Sequence, residues 1–531
     1  MGAEIPWSAG IAPGRAEGND VLGSPPKPGF LAVALLLSAS LALIPCAQAA
    51  EPPAEPAAPV TAAEVAPDDS LLYVEIAKPA ELWAALQKTE LRRAVQASFL
   101  AEVIVAFTGN LANLLCQALT DRPLGEATTR YGLRPAIVFS PVRQADGSDD
   151  PAFVVVLQAA SNGAELAKLL AERVEPTLKA RFPDIAVEKE QVRGHDVTTI
   201  RFSPKSEWSL AAAGDRIMVG QRPAVKWMLE STRFLGRSAA YRAARERLKL
   251  PGSPHVFCYC VLSEDVAPTY LYGPGSVLAG VLEMTRPSPA DGRQVADRIL
   301  ISGKANLPPV GPRRPFAIGK VFPQGAWFVN QVSLASGAAV AEFLGMDAAG
   351  TRAKLAGRAF SGTCFPAVNG AGESIVAAEA ADAGAVVELL EQLRFAKEGD
   401  VWLRDPTAAA VKDGFVYIGK ARALRGLLAD LAKGTLAAPE GLKLLPETAH
   451  GFSLMTPGYL KACLADGYKE FEGLAAELSP SVAAAEVTAD GIDIRSVSPH
   501  GYGLWLVSMN IEAAIAANRQ ANAADRAPEK R

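Results

Sequence analysis

Apolar residues in this chain fall into two recurrent patterns, short unbroken runs and stripes at three- and four-residue spacing. The clearest combination of the two occurs twice. Ile217-Met218-Val219 ends on Gly220 and leads to Val225, Met228 and Leu229; Val416-Tyr417-Ile418 ends on Gly419 and leads to Leu424, Leu427 and Leu428. With one glycine set over the other, the apolar positions coincide. Each copy predicts a short buried strand, a sharp exit at glycine and a helix with one apolar stripe. Pro223 suits the first turn of such a helix, where its missing N–H removes no bond. A unit stated twice is an internal repeat, the strongest organisational signal in the sequence.

The rest of the pattern groups around these two units. Pro67-Asp68-Asp69-Ser70 reads as a turn into a strand ending at Ile76, and Lys78 to Leu91 opens a helix with Leu82 and Leu86 toward the core. Phe99 to Leu119 is very apolar but carries Glu102, Asn110 and Asn113, with Gly109 in the middle. It reads as a buried or pocket-lining helix rather than a membrane span. Strands follow at 135–139 and 153–157. A helix over 163–178 carries the stripe Leu166, Leu169, Leu170 and Val174, and a hairpin over 185–202 turns at Arg193-Gly194-His195. After an interruption the order resumes: a strand at 374–378, a helix at 385–393 with Leu389-Leu390, a shorter hairpin near 399–403, and the second repeat copy. Proline-led turns at Pro67, Pro251, Pro323 and Pro446 each precede an apolar run.

The fold class expected is therefore α+β, with two related halves, each an antiparallel sheet covered on one face by helices. The boundaries read as a signal peptide or N-terminal anchor over 1–49 and an Ala/Pro/Glu-rich linker over 50–66. A first half over 67–265 and a connecting region over 266–315, with a strand near 298–301, come next. A second half with closing strands spans 316–510, and a polar, disordered tail 511–531.

Composition adds the class of partner and the address. Across 531 residues, 49% are hydrophobic and 21% charged, which is globular composition, and the net charge of −4 offers no basic surface for nucleic acid. Phe30 to Ile44 is an uncharged apolar run behind Arg15 and Lys27. Ala47-Gln48-Ala49 after it fits the small-x-small rule for cleavage, so the mature chain is expected to begin at Ala50. The alternative is an uncleaved anchor. The leader before Phe30 is long for a signal, which places the expected translation start nearer Val21 or Leu22. An exported, periplasmic or extracellular address follows, with membrane association through the N-terminal segment. Cleavage leaves Cys116, Cys258, Cys260, Cys364 and Cys463, too sparse for a disulfide scaffold and odd in number.

The opening Ala66-Pro-Asp-Asp-Ser-Leu-Leu-Tyr-Val74 with its helix, and the Gly-Asp-x-Ile-x-Val-Gly element ending at Gly220, resemble exported bacterial proteins grouped as a domain-of-unknown-function family. The resemblance spans roughly 66 to 510. It implies an exported α+β protein and carries no catalytic residues with it.

Candidate chemistry is thin. No phosphate-cradling loop, nucleophile elbow or zinc-protease helix occurs. His195-Asp196 would suit a general base, but neighbours on a strand point to opposite faces, which favours a solvated turn. Cys258 and Cys260 share a strand face near His255, yet lack the spacing of a zinc pair, and core packing is the better reading. Asp68 and Asp69 read as turn formers and Glu75 as solvent-facing. Trp83, Trp208, Trp227, Trp327, Trp402 and Trp505 read as core or rim residues, and Arg313-Arg314 as a solvated loop that could meet a phosphate headgroup. The expectation is a non-enzymatic scaffold or binding module with no catalytic, cofactor or metal residues assigned. The alternatives are a carrier or sensor of an apolar ligand held between the halves, and then a hydrolase whose site converges from distant residues.

Overall fold

The computed structural model describes residues 62–76, 90, 130–143, 151–159, 163–181, 183–203, 206–248, 256–261, 277–283, 295–302, 310–344, 346, 350–465, 478–489 and 491–499. The helices expected at 78–91 (apart from Glu90) and 99–119, the N-terminal apolar segment and the 511–531 tail lie outside these residues. The chain is a mixed α+β protein dominated by antiparallel strands.

Ten strands come first: β1 (Leu72–Ile76), β2 (Leu133–Arg143), β3 (Pro151–Ala159), β4 (Ala186–Val192), β5 (His195–Ser203), β6 (Ser206–Ala213), β7 (Arg216–Gly220), β8 (Val256–Val261), β9 (Val277–Glu283) and β10 (Val295–Ser302). Ten more follow: β11 (Trp327–Ser333), β12 (Phe360–Asn369), β13 (Ser374–Ala380), β14 (Ala396–Glu398), β15 (Val401–Arg404), β16 (Thr407–Lys412), β17 (Phe415–Gly419), β18 (Gly451–Met455), β19 (Ser481–Thr488) and β20 (Gly491–Ser498). The helices are α1 (Gly163–Arg181), α2 (Arg222–Glu230), α3 (Ala239–Arg247), α4 (Gly337–Phe343), α5 (Thr351–Ala359), α6 (Ala383–Gln392), α7 (Ala421–Leu431) and α8 (Pro457–Ala465).

Among the described residues these twenty strands pair into one antiparallel sheet, and two further two-residue strands, Arg314–Pro315 and Thr448–Ala449, pair with each other. From one edge the order is β4-β5-β6-β7-β3-β2-β1-β8-β9-β10, and it continues β20-β19-β18-β11-β12-β13-β17-β16-β15-β14. Counted inward from each edge, strand n of the first ten meets strand n+10 of the second. The two blocks join where β10 runs against β20, from Val295 opposite Ser498 to Ser302 opposite Gly491.

Helices pack on both faces of this sheet, so the expectation of one covered face is corrected. Ala377 and Tyr417 lie in a core with Leu424 and Leu427 of α7, while the neighbouring Ala378, Val416 and Ile418 lie in another with Val386 and Leu389 of α6 and Leu355 of α5. Among the first ten strands Met218 packs with Val225 and Met228 of α2, and Ile217 packs with Leu166 of α1. Consecutive apolar residues on a strand point to opposite faces, so a run of three requires cover on both sides.

Two boundaries also move. The expected 50–66 linker ends inside the fold, because Ala62–Glu64 forms a 3-10 turn and Ala62, Ala63 and Ala66 are buried. Alanine is small enough to lie against the Leu235–Arg237 turn, where the Ala66 carbonyl accepts from the Leu235 N–H at 2.7 Å. The expected connecting region 266–315 contains β9 and β10, so it is sheet rather than joint; the strand near 298–301 is the middle of β10.

The two glycine exits match closely. Gln221, after β7, has φ −71° and ψ 139°; Lys420, after β17, has φ −72° and ψ 142°. Neither helix has a side-chain cap there. Gly220 lies opposite Val154 on β3 and Gly419 opposite Ile375 on β13. A Cβ at Gly220 would sit 2.4 Å from the Phe153 carbonyl oxygen, and one at Gly419 3.1 Å from that of Ser374. Both positions need glycine for close backbone approach, the first more strictly. Gly220→Ala is expected to cost about 3 kcal/mol and Gly419→Ala about 1 kcal/mol, read as urea unfolding midpoints. Equal costs would show that the first exit relaxes freely.

Candidate functional site

The most connected polar cluster grows from β1. Alternation places Tyr73 and Glu75 on one side of the strand. Register sets Tyr259 of β8 opposite Tyr73 and Phe257 opposite Glu75. Across this row lies α3, whose start is capped by Ser238 accepting from the Tyr241 N–H. Tyr241 and Arg245, one helical turn apart, face the same way. The Tyr241 ring meets Tyr73, Phe257 and Tyr259 edge-on at 6.0, 5.6 and 5.2 Å between centroids.

Polar bonds finish the arrangement. Arg245 donates from Nη1 to Glu75 Oε2 at 2.8 Å and to the Tyr241 hydroxyl at 3.1 Å. The Tyr73 hydroxyl donates to the same Glu75 oxygen at 3.1 Å. The Arg245 guanidinium lies 4.9 Å from the Phe257 ring centre, a cation–π distance. Glu75 is 7% exposed, whereas the Arg245 side chain keeps 34% of its surface in contact with solvent. The solvent-facing reading of Glu75 is therefore corrected: the carboxylate lies on a buried face and is paired with a cation contributed from far along the chain.

Burial pushes the Tyr73 phenol well above its ordinary pKa, and the Glu75 carboxylate pushes it further. Burial likewise lifts Tyr241 and Tyr259 to about 12. Desolvation is the largest single influence on Arg245 and lowers it, but Glu75, Tyr241 and Tyr73 together outweigh it and the net shift is upward. All three phenols remain protonated at neutral pH; that of Tyr73 donates to Glu75 and that of Tyr241 accepts from Arg245. What the cluster does is fasten α3 across β1 and β8.

The corresponding place among the second ten strands has a different filling. There Val329 lies opposite Leu454 and Gln331 opposite Phe452. Gln331, 2% exposed, accepts from the Ala317 N–H and donates to the Pro315 carbonyl, both at 2.7 Å. Phe316 meets Phe452 edge-on at 5.6 Å, as Tyr241 meets Phe257. One sheet position thus fastens a covering helix by an ion pair, and its counterpart fastens a covering strand by an amide.

The other candidates are placed separately. Arg193 and Gly194, with φ 48° and 81°, form the tight turn before His195, and Asp196 accepts from Gln191 Nε2 at 3.1 Å. Cys258 and Cys260 are buried reduced thiols on one face of β8, and burial lifts both to about 12. Cys364 is also a buried thiol, raised by burial. His255, Cys116 and the Cys463 side chain lie outside the described residues, within which no cluster of three metal-ligating side chains occurs. Asp68 pairs with Arg233 at 2.6 Å, and Asp69 accepts from Trp227 Nε1 at 3.4 Å. Trp208 packs edge-on to Phe153 and Trp327 against Phe322, while Trp402 is buried; Trp83 and Trp505 lie outside. Arg313 reaches Glu486 at 3.5 Å and Arg314 the Ser361 carbonyl at 3.4 Å.

His450 is one of two histidines, with His500, to which the sequence reading gives no role. Its Nδ1 accepts from the Val487 N–H at 3.1 Å, which requires the neutral ring. Its own N–H and carbonyl bond Ala485 and Ser333 at 3.1 and 2.9 Å. Nothing in a lone His before a Gly distinguishes this from an exposed one. Among the described residues no helix is long and apolar enough to cross a membrane. Comparisons with protein-family models, with curated proteins and with solved structures find no match to this chain.

Two measurements check these roles. Glu75→Ala and Arg245→Ala are each expected to cost about 2 kcal/mol, below the usual figure for breaking a buried pair because Arg245 is partly solvated. Glu75→Ala with Arg245→Ala together should cost far less than the two single changes summed; full additivity in this double-mutant cycle would dissolve the pair. For His450, burial followed by Arg313 lowers the pKa below the ordinary histidine value. A base depressed in the folded state contributes stability above its unfolded pKa, about 6.5, and loses it as pH falls. Urea midpoints should drop between pH 7.5 and 5.5, and His450→Gln should flatten that drop. An unchanged slope in the variant would assign the effect elsewhere.

Proposed function

We propose that this chain is an exported, non-enzymatic scaffold or binding module, built from two related α+β halves by internal duplication. The duplication reading is supported by strand n and strand n+10 holding the same place in the sheet, and by the matched glycine exits at Gly220 and Gly419. The export reading is supported by the apolar Phe30–Ile44 run and the Ala47-Gln48-Ala49 sequence after it. One observation carries the functional reading. The ionisable side chains that looked chemically useful are spent on the fold itself: Glu75 on Arg245, Asp68 on Arg233 and Arg313 on Glu486.

A protein of this kind works through its surface, so its ligand should be another macromolecule. Native mass spectrometry of the chain from the exported fraction tests this. The expected masses are the chain beginning at Ala50, alone or with a protein partner. A tenaciously retained lipid-sized mass would replace the scaffold reading with a carrier of an apolar ligand. A mass including residues 1–49 would replace the cleaved leader with an anchor.

A further inference from the structure

One face of the seam between the two blocks carries two arginines, Arg298 and Arg495, and one aspartate, Asp493; Asp297 lies on the other face. Register sets Arg298 of β10 directly opposite Arg495 of β20. Directly opposed residues on one sheet face lie about 5 Å apart, and like charges there are destabilising. The arginines lie on the side that holds Leu300, of the first core, and Val497, of the second. They therefore sit between two hydrophobic cores.

Asp493, two residues before Arg495 on the same strand, relieves only one of the two cations. It holds Arg298 in a fork: Nε to Oδ1 at 3.0 Å, Nε to Oδ2 at 3.2 Å and Nη2 to Oδ2 at 2.6 Å. The same geometry viewed from the other strand would hold Arg495 by the residue two before Arg298. That residue is Ala296. Glu486, opposite Asp493, is taken by Arg313 at 3.5 Å. Among the described residues no carboxylate pairs with Arg495, which is exposed. Among the described residues one half of a two-fold set of ion pairs is filled and the other is open.

We propose that Arg495 receives a carboxylate carried by a ligand from outside the fold, in the place that a side chain at position 296 would otherwise occupy. A guanidinium recognises a carboxylate through two parallel N–H donors, the arrangement that Arg298 already shows with Asp493. The assignment goes beyond the scaffold reading and needs only the strand register; the duplication reading enters through position 296 alone.

Thermal unfolding of the full chain in sodium succinate and in sodium chloride of equal ionic strength tests the site. The native chain should melt higher in succinate, by on the order of 1 °C. Arg495→Ala and Ala296→Asp should each abolish that increment, and Ala296→Asp should also raise the melting temperature in chloride by supplying the missing partner. An equal increment in all three chains, none in the native chain, or a larger one in inorganic phosphate than in succinate overturns the assignment. Loss of the increment in Arg495→Ala with its retention in Ala296→Asp upholds the carboxylate site and overturns the two-fold argument.

Discussion

The constraint on which this structure depends is that every strand edge must be paired or defended. A row of unpaired backbone groups invites pairing with another chain. Joining β10 to β20 hides two edges at once and leaves β4 and β14 as the ends of the sheet among the described residues. Both ends are poor templates. β4 presents Glu188, Lys189 and Glu190, and β14 is three residues long, Ala396-Lys397-Glu398, all exposed. The outer face of β4 is further tied down by Arg222 and Lys226 of α2, which reach Glu190 at 2.9 and 2.8 Å. Charge and brevity at the edges permit a sheet this wide to end.

How far the fold was legible in the sequence follows from which residues carry its contacts. Ile217-Met218-Val219 and Val416-Tyr417-Ile418 announce buried strands because three large apolar side chains in a row admit no other setting. The same runs already implied cover on both faces, since alternate residues of one strand enter different cores. Ala408-Ala409-Ala410 of β16 gives no such signal, because alanine has little preference for strands. It is nonetheless fully buried, with Ala408 and Ala410 on one side and Ala409 on the other. Small side chains there admit covering helices at close range, a property of the neighbours rather than of the run.

The polar cluster was illegible for a related reason. Tyr73 and Glu75 alternate with Leu72, Val74 and Ile76, and alternation by itself assigns the charged side to solvent. What reverses the assignment is Arg245, contributed by a helix that no local pattern connects to β1. A carboxylate tolerates burial when a cation and a phenol satisfy it, and the sequence shows the carboxylate without showing its partners. Asp382, which the sequence reading does not single out, has a local role by contrast: it caps α6 by accepting from the Gly384 and Ala385 N–H groups at 2.9 and 3.1 Å. Such capping is confined to a few consecutive residues.

On the duplication reading, the two blocks separate what the frame demands from what it leaves open. Backbone geometry at the glycine exits has stayed nearly the same, because a close backbone approach admits one residue type. Polar fillings have not stayed the same. Glu75 faces Gln331 across the correspondence, and Asp493 faces Ala296. Exchanging a buried glutamate for glutamine keeps two polar atoms bonded, so the change is compensated within the fold. Exchanging an aspartate for alanine beside Arg495 is not compensated among the described residues. A buried polar group without a partner would be removed by selection for stability, but a cation open to solvent carries little penalty. The seam is therefore a place where an unbalanced charge can persist at small cost, which leaves the Arg495 guanidinium available to a carboxylate from outside.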